Sequence, residues 1–204
     1  EQIVRQIADV EIDDKISFVI KKTEEIMEDS EYQGVRLSLD AYLDKTRIPL
    51  KIDISTGDVI TPCEISFSYQ LMFENRTIPL LAYPPETVLA EKLETILSRG
   101  EANTRLRDFY DVYILQREDF VVTPDALCHA LLATCRKRGH EDLLHTYASI
   151  LDRVRQSDTM RTQWMKYQSD FNYAAGITWD TVLDTVETLC MKTLDDHAFG
   201  DELP

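Results

Sequence analysis

The hydrophobic pattern of this chain changes its period at Pro84-Pro85. Upstream, residues 35–43 alternate between apolar and polar side chains, which is the pattern of a half-buried β-strand. Downstream, apolar residues recur every three or four positions almost to the end of the chain, as they do in amphipathic helices. Because proline interrupts both kinds of element, the pair marks a change of architecture. We therefore predict an α+β fold, in which a small mixed or antiparallel sheet is followed by an α-helical bundle.

Five segments upstream of the prolines have strand character. They are residues 16–26, 35–43, 48–54, 64–71 and 77–82. The first segment alternates only in part, and a helix is the other interpretation of it. In the third segment the apolar side chains at positions 48, 50, 52 and 54 share one face, so Asp53 lies on the opposite face. We expect Asp53 on a sheet surface away from the main core.

A short helix opens the chain, and further helices are predicted downstream of the prolines. Their ranges are 86–98, 104–116, 124–137, 141–155, 158–171 and 179–193. Gly100, Gly139 and Gly176 fall between these ranges, as expected for residues that end helices. We therefore divide the chain into a sheet domain over residues 1–82 and a helical domain over residues 83–204.

Lys92 lies beside the apolar stripe of the first of these downstream helices. The stripe consists of Leu89, Leu93, Ile96 and Leu97. A cation at the edge of a core needs an anionic partner. Asp108 and Asp111, three residues apart on the next helical segment, project from the same side of it. They could accept the lysine, or they could leave it free for a phosphate.

A purely structural interpretation of these charges stays open. Lys92 could belong to a buried ion pair or to a solvated helix face. Asp108 could instead cap its helix, with Arg107 as its partner, because aspartate is a common capping residue.

The composition excludes several classes of protein. The chain has 204 residues, of which 44% are hydrophobic, so it can bury the core of a soluble globular protein. Its net charge of −15 opposes broad binding to nucleic acid or to an anionic membrane, so any RNA contact has to be local. The basic run 136–138, followed by His140, is explained equally well by the preference of helix C-termini for cations.

Other residues with chemical potential are not assigned to a site. The four cysteines have no close spacing, so we predict neither a zinc site nor a disulfide framework. The histidines at 129, 140, 145 and 197 share no metal-binding spacing. The aromatic residues Trp164, Tyr167, Phe171 and Tyr173 are more typical of a core than of a base-stacking platform. With no signal peptide and no apolar run long enough to span a bilayer, the cytoplasm is the simplest compartment.

Three motifs occur in an order that points to a known family. The strand residues 51–54 read Lys-Ile-Asp-Ile, residues 84–94 read Pro-Pro-Glu-Thr-Val-Leu-Ala-Glu-Lys-Leu-Glu, and residues 107–113 read Arg-Asp-Phe-Tyr-Asp-Val-Tyr. Over roughly residues 13–116 the chain resembles the nucleotidyl transferase toxins of the AbiEii/AbiGii family. The resemblance implies that the sheet domain is an incomplete nucleotidyltransferase domain.

The resemblance also implies roles for the motif residues. Asp53 would complete a metal site or accept the proton of an attacking hydroxyl. Lys92 would act in catalysis by holding phosphate oxygens as a point charge. Asp108 is assigned to the catalytic residues, while Arg107 and Asp111 join Lys92 in binding the nucleotide.

The activity implied is transfer of a nucleoside monophosphate from an NTP to an RNA, such as tRNA, or to a protein acceptor. Mg²⁺ would be the cofactor, and a separately encoded antitoxin would restrain the toxin in a bacterial toxin–antitoxin or phage abortive-infection system. No membrane partner is expected. The alternative is a noncatalytic or degenerate module of the same fold that binds a partner protein.

One motif of such enzymes is not found in this sequence. Minimal nucleotidyltransferases carry a Gly-Ser or Gly-Gly turn followed by an Asp-x-Asp metal pair, upstream of the motifs matched here. We expect the chain to be a truncated product, with a degenerate relative as the alternative. As it stands it should bind metal poorly and be inactive, because Asp53 alone offers too few oxygen ligands.

Overall fold

The computed structural model of the protein describes residues 2–10, 12, 14–26, 34–117 and 122–195. Within these ranges the strands are β1 (Ile16–Ile26), β2 (Gly34–Leu43), β3 (Thr46–Ile54), β4 (Ile65–Gln70) and β5 (Thr77–Ala82). The helices are α1 (Gln2–Ala8), α2 (Pro85–Arg99), α3 (Leu106–Leu115), α4 (Pro124–Arg138), α5 (Leu143–Gln156), α6 (Asp158–Asp170) and α7 (Trp179–Leu194). The predicted α+β fold is therefore confirmed.

Contacts divide the chain into two compact units, residues 1–58 and residues 59–204. The change from strands to helices comes later, between β5 and α2. We predicted a sheet domain over residues 1–82 and a helical domain over residues 83–204. This division into domains of different type stays a prediction.

The first unit contains α1 and a three-stranded antiparallel sheet in the order β1-β2-β3. The segment 16–26 is a strand, so the helical interpretation of it is wrong. A two-residue turn with Asp44 at a φ of 51° joins β2 to β3, which fits the tolerance of aspartate for the left-handed region. The register places Arg36 opposite Asp53 on one face of the sheet.

The apolar residues of this sheet are unequally buried. Leu37, Leu39 and Ala41 of β2 are buried. Their cross-strand neighbours on β3 are 38–51% exposed, namely Ile48, Leu50 and Ile52. Ile54, which lies opposite Val35 at the end of the same strand, is also 38% exposed. Alternation correctly assigned these side chains to one face, but it carries no information on whether another element covers that face.

The second unit begins with the β4–β5 hairpin, a separate antiparallel sheet, and continues into the helices. Most of its core comes from one apolar stripe of each helix, as the period of the sequence predicts. Thr123 and Thr178 cap α4 and α7 with their side-chain oxygens, and Gly139 ends α4 in the left-handed conformation. The start and end of α4 and the start of α7 therefore lie where local sequence chemistry favours them.

No helix of the described residues is long and apolar enough to cross a membrane. Residue His197, one of the histidines considered above, lies outside the described residues.

Candidate functional site

Lys92 occupies the third turn of α2, beside a stripe that anchors the helix in the core. The stripe residues Leu89, Leu93, Ile96 and Leu97 are each at most 2% exposed. Lys92 itself is held at the edge of this core with its side chain 18% exposed. Because a buried stripe fixes the helix on both sides of Lys92, the direction of this side chain is fixed as well.

Two carboxylates of α3 receive the ammonium group of Lys92. Its Nζ donates to Asp108 Oδ1 at 3.2 Å and to Asp111 Oδ2 at 2.6 Å. The side chain of Asp108 is 4% exposed, whereas that of Asp111 is 24% exposed. Of the alternatives that the sequence left open, the one in which the two aspartates accept the lysine is therefore present, with one deeply buried and one accessible carboxylate.

Two arginines flank this contact. Arg105 Nε lies 2.8 Å from Asp108 Oδ2, and Arg107 Nε lies 3.8 Å from Asp111 Oδ1. The interpretation of Asp108 as a helix cap paired with Arg107 is wrong. The N-cap residue of α3 is Arg105, and no side chain caps this helix. The arginine that pairs with Asp108 is also Arg105. The side-chain oxygen of the fully buried Asn103 accepts a hydrogen bond from the backbone N–H of Arg105 at 2.7 Å. This bond holds the backbone immediately before α3.

We call these five side chains the Lys92 cluster: Lys92, Arg105, Arg107, Asp108 and Asp111. Three cations against two carboxylates give the cluster a formal charge of +1 in a protein of net charge −15. The Arg107 side chain is 76% exposed and its ion pair is long, so its guanidinium donors face solvent. The cluster has the charge and the accessible donors that a phosphate group requires.

Asp53 lies in the first unit, on β3. Its two carboxylate oxygens accept hydrogen bonds from Arg36 Nε and Nη2, each at 2.7 Å. The side chain is 49% exposed, on the sheet face that the alternation predicted. The hydrogen bonds from Arg36 lower the pKa of this carboxyl below its usual 3.8.

The described residues do not form a divalent-metal site by themselves. Within them no group of three or more histidine, cysteine, aspartate or glutamate side chains could hold one. Both carboxylate oxygens of Asp53 accept hydrogen bonds from Arg36. Asp108 and Asp111 both form ion pairs with Lys92. Asp40, a buried carboxylate of the first unit, is also paired, with Lys21 and Arg47.

The comparison with protein families decides the class of this protein. A family model described as nucleotidyl transferase AbiEii toxin of a type IV toxin–antitoxin system matches residues 1–185. The chain belongs to the AbiEii family. Searches of curated proteins and of solved structures found no match.

Membership of the AbiEii family has two direct implications. The family is one of nucleotidyl transferase toxins, and such enzymes generally use a divalent metal ion. The match is also longer than the segment 13–116 on which the sequence motifs rest, and it takes in α4, α5 and α6. AbiEii similarity therefore extends over helices in which no motif was noticed.

A second charged cluster of this AbiEii chain was not predicted from the sequence. Glu94 of α2 is 2% exposed, accepts a hydrogen bond from Arg138 Nη1, and has its Oε1 2.6 Å from His140 Nδ1. The basic run at the end of α4 therefore has a specific partner in addition to the helix terminus. Arg138 and His140 lie 44 and 46 residues after Glu94 in the sequence, so no local spacing could predict this contact.

The aromatic residues of α6 and of the turn that follows it divide between core and surface. Trp164 is buried, as the core interpretation predicts, but Phe171 and Tyr173 are 42% and 51% exposed. Tyr110 of α3 joins them, with its ring centroid 4.8 Å from that of Tyr173. The prediction that all these rings belong to the core is therefore wrong for the two exposed ones. The spacing of the residues in 164–173 could not indicate that Tyr110 of α3 would contact them.

Proposed function

We propose that this protein transfers a nucleoside monophosphate from an NTP to an RNA, such as tRNA, or to a protein acceptor. The observation that supports this most is Lys92, fixed at the edge of a core between two carboxylates in a cluster with surplus positive charge. Catalysis of phosphoryl and nucleotidyl transfer consists largely of positioning the reactants and neutralising the charge of the triphosphate.

Lys92 would contact a phosphate oxygen without leaving its present position. An ammonium group has three N–H donors, and two of them are used by Asp108 and Asp111. The third donor is available to a ligand. Asp108 would act by holding Lys92 in place, since it is the carboxylate shielded from solvent.

Arg107 and Asp111 are the residues we propose for direct contact with the nucleotide. The guanidinium of Arg107 is accessible and can bind phosphate oxygens in a fork. Asp111 is exposed enough to exchange its arginine or lysine partner for a ligand donor.

Asp53 is proposed as a metal ligand rather than as a general base. A base works best with a pKa near the working pH, whereas Arg36 lowers the pKa of Asp53 below 3.8. Mg²⁺ is the ion we propose, because hard cations suit oxygen ligands and triphosphates. To bind the ion, Asp53 would have to give up a hydrogen bond from Arg36, and it alone supplies too few ligands.

The biological setting we propose follows the family. A cognate antitoxin would restrain the protein, within a toxin–antitoxin or phage abortive-infection system of bacteria. The net charge of −15 supports a small and local contact with an RNA acceptor, since a long basic groove is not compatible with it.

Label transfer tests this function. The full-length protein is incubated with each of four α-labelled NTPs, Mg²⁺ and total tRNA, and label on RNA or protein is measured. We expect Lys92→Ala to reduce transfer by roughly a hundredfold or more, since it removes a preorganised cation. Lys192→Ala, which removes an exposed lysine of α7, should leave transfer unchanged.

Equal transfer by the wild type and by Lys92→Ala would refute the proposed role of the cluster. Because Lys92→Ala leaves buried Asp108 with less compensation, the double variant Lys92→Met/Asp108→Asn provides a second measurement in which both charges are gone. No label from the folded wild-type protein with any NTP would favour the alternative, a noncatalytic module that binds a partner protein.

A further inference from the structure

Four rings of the second unit form a continuous group, which we call the aromatic platform: Tyr110, Tyr167, Phe171 and Tyr173. The ring centroids of Phe171 and Tyr173 are 5.4 Å apart, with 31° between the planes. Tyr167 lies 4.8 Å from Phe171, and Tyr110 lies 4.8 Å from Tyr173. These distances are those of attractive aromatic pairs.

The aromatic platform is exposed but rigidly supported. The hydroxyls of Tyr167 and Tyr173 are hydrogen-bonded at 2.9 Å, and Tyr167 stacks on buried Trp164 at 5.3 Å. The amide of Gln168 donates to the carbonyl oxygens of Ala174 and Ile177, which ties the turn carrying Tyr173 to α6. The half-exposed rings therefore do not need a ligand to keep their arrangement, so their orientation is preorganised.

The aromatic platform adjoins the Lys92 cluster through α3. Tyr110 immediately precedes Asp111 and lies three residues after Arg107, so it shares a helix face with Arg107. Burial and the hydrogen bond to Tyr173 raise the pKa of Tyr167; the charge of Asp111 adds to this effect and that of Arg107 opposes it. Both charged residues are therefore close enough to act on a ring of the platform.

We propose that the aromatic platform stacks the nucleobase of the NTP whose phosphates bind at the Lys92 cluster. This inference rests on the proposed function and adds the subsite for the base. Only Phe171 and Tyr173 expose much of their rings, which suits one base rather than a run of them. The net charge of −15 further favours a mononucleotide over a polynucleotide strand.

Stacking has a consequence for specificity. Every base has a π face, so this subsite binds all four bases and favours none through hydrogen bonds of its own. Loss of one stacking ring should weaken nucleotide binding by roughly tenfold. The affinity for a ligand that lacks the base should not change when the ring is removed.

The test compares a nucleotide with its base-free counterpart. Binding of the α,β-methylene analogue of ATP and of ribose 5-triphosphate, both with Mg²⁺, is measured by calorimetry on the full-length protein. Phe171→Leu and Tyr173→Leu retain apolar volume and remove the ring. We expect each to weaken binding of the ATP analogue roughly tenfold and to leave that of ribose 5-triphosphate unchanged.

Two further variants complete the design. Phe73→Leu removes a ring that is 94% exposed outside the platform and should change neither affinity. Tyr173→Phe keeps the ring without its hydroxyl and should retain binding of the ATP analogue. Thermal unfolding of each variant checks that it is folded.

The possible outcomes distinguish failure of the proposed base subsite from failure of the proposed function. If both leucine variants bind the ATP analogue like the wild type, while Lys92→Ala weakens both ligands, the base subsite is refuted and the phosphate site remains. If the leucine variants lose only binding of a single-stranded oligonucleotide, the platform serves RNA and the inference is equally refuted. Failure of the folded wild type to bind either triphosphate would overturn both proposals.

Discussion

The two carboxylates that hold Lys92 differ in burial, and this difference separates their roles. Asp108 is shielded from solvent and also pairs with Arg105, so replacing it would leave charges without compensation inside the protein. Asp111 is six times more exposed by side-chain fraction, at 24% against 4%. A ligand can therefore compete for Asp111 at a lower cost in desolvation than for Asp108.

The ion pair between Arg36 and Asp53 predicts how this carboxyl titrates. Its pKa should be below 3.8 in the folded protein, and Arg36→Met should raise it toward that value, since the hydrogen bonds from Arg36 are the main cause of the shift. Carbon-13 NMR of the labelled carboxyl measures the pKa directly. Because the folded pKa is the lower one, the pair stabilises the protein above pH 3.8 and is lost as the pH falls through the folded value.

Lys51→Met is the matched change for this titration, because Lys51 lowers the pKa of Asp53 only through its charge and contributes less than Arg36. It should shift the pKa of Asp53 by a smaller amount. A larger shift from Lys51→Met than from Arg36→Met would contradict the assigned cause.

The sequence revealed the residues of the site more readily than their partners. Lys92, Asp108 and Asp111 could be considered together because the two aspartates share a helix face and Lys92 borders the apolar stripe of the preceding helix. Arg36 could not be predicted as the partner of Asp53, since that contact depends on the register between two strands. The proposed catalytic and binding roles of these residues remain predictions.

At the level of elements, periodicity was sufficient for the helices downstream of the prolines, because each of them buries apolar residues on one side, and α4 and α7 also begin at a capping threonine. The predicted range 124–137 corresponds to α4 at Pro124–Arg138, and 179–193 corresponds to α7 at Trp179–Leu194. The strands were also located, but their division into two sheets depends on hydrogen bonds that periodicity does not encode.

The contact between α2 and the end of α4 predicts a loss of stability when it is removed. Glu94→Ala should lower the free energy of unfolding by about 2–4 kcal/mol, because it deletes a buried carboxylate and leaves Arg138 with the longer ion pair to Glu91. Urea denaturation followed by circular dichroism measures the change.

Glu91→Ala provides the comparison on the same helix. Its carboxylate is 28% exposed and lies 4.0 Å from Arg138, so its removal should cost less than about 1 kcal/mol. Similar losses from the two substitutions would show that burial of Glu94 does not give its contact added strength.

For the whole molecule, the cysteines report on how completely the second unit excludes solvent. All four are free thiols; Cys63 is exposed, whereas Cys128, Cys135 and Cys190 are buried. Burial raises the pKa of Cys135 to about 12, with a further contribution from Glu94, and burial raises that of Cys190 to about 12 as well. Thiolate, the reactive form, is therefore scarce at the buried positions.

We expect only Cys63 to react with a thiol reagent at pH 8 in the native protein, and all four cysteines to react after denaturation. Absorbance of the released chromophore counts the reacting thiols. In Cys63→Ser the native protein should show none. A second fast-reacting thiol in that variant would mean that the helical core opens readily under native conditions.

The helix α2 makes its charged contacts on nearly opposite sides of its axis. Lys92 and Glu94 are two residues apart, which corresponds to about 200° around an α-helix. Lys92 is bound to α3 and Glu94 to the end of α4, so turning α2 in either direction stretches both contacts. Both contacts therefore constrain the rotational phase of the helix, so a substitution at Arg138 or His140 should relax one of the constraints that orient Lys92.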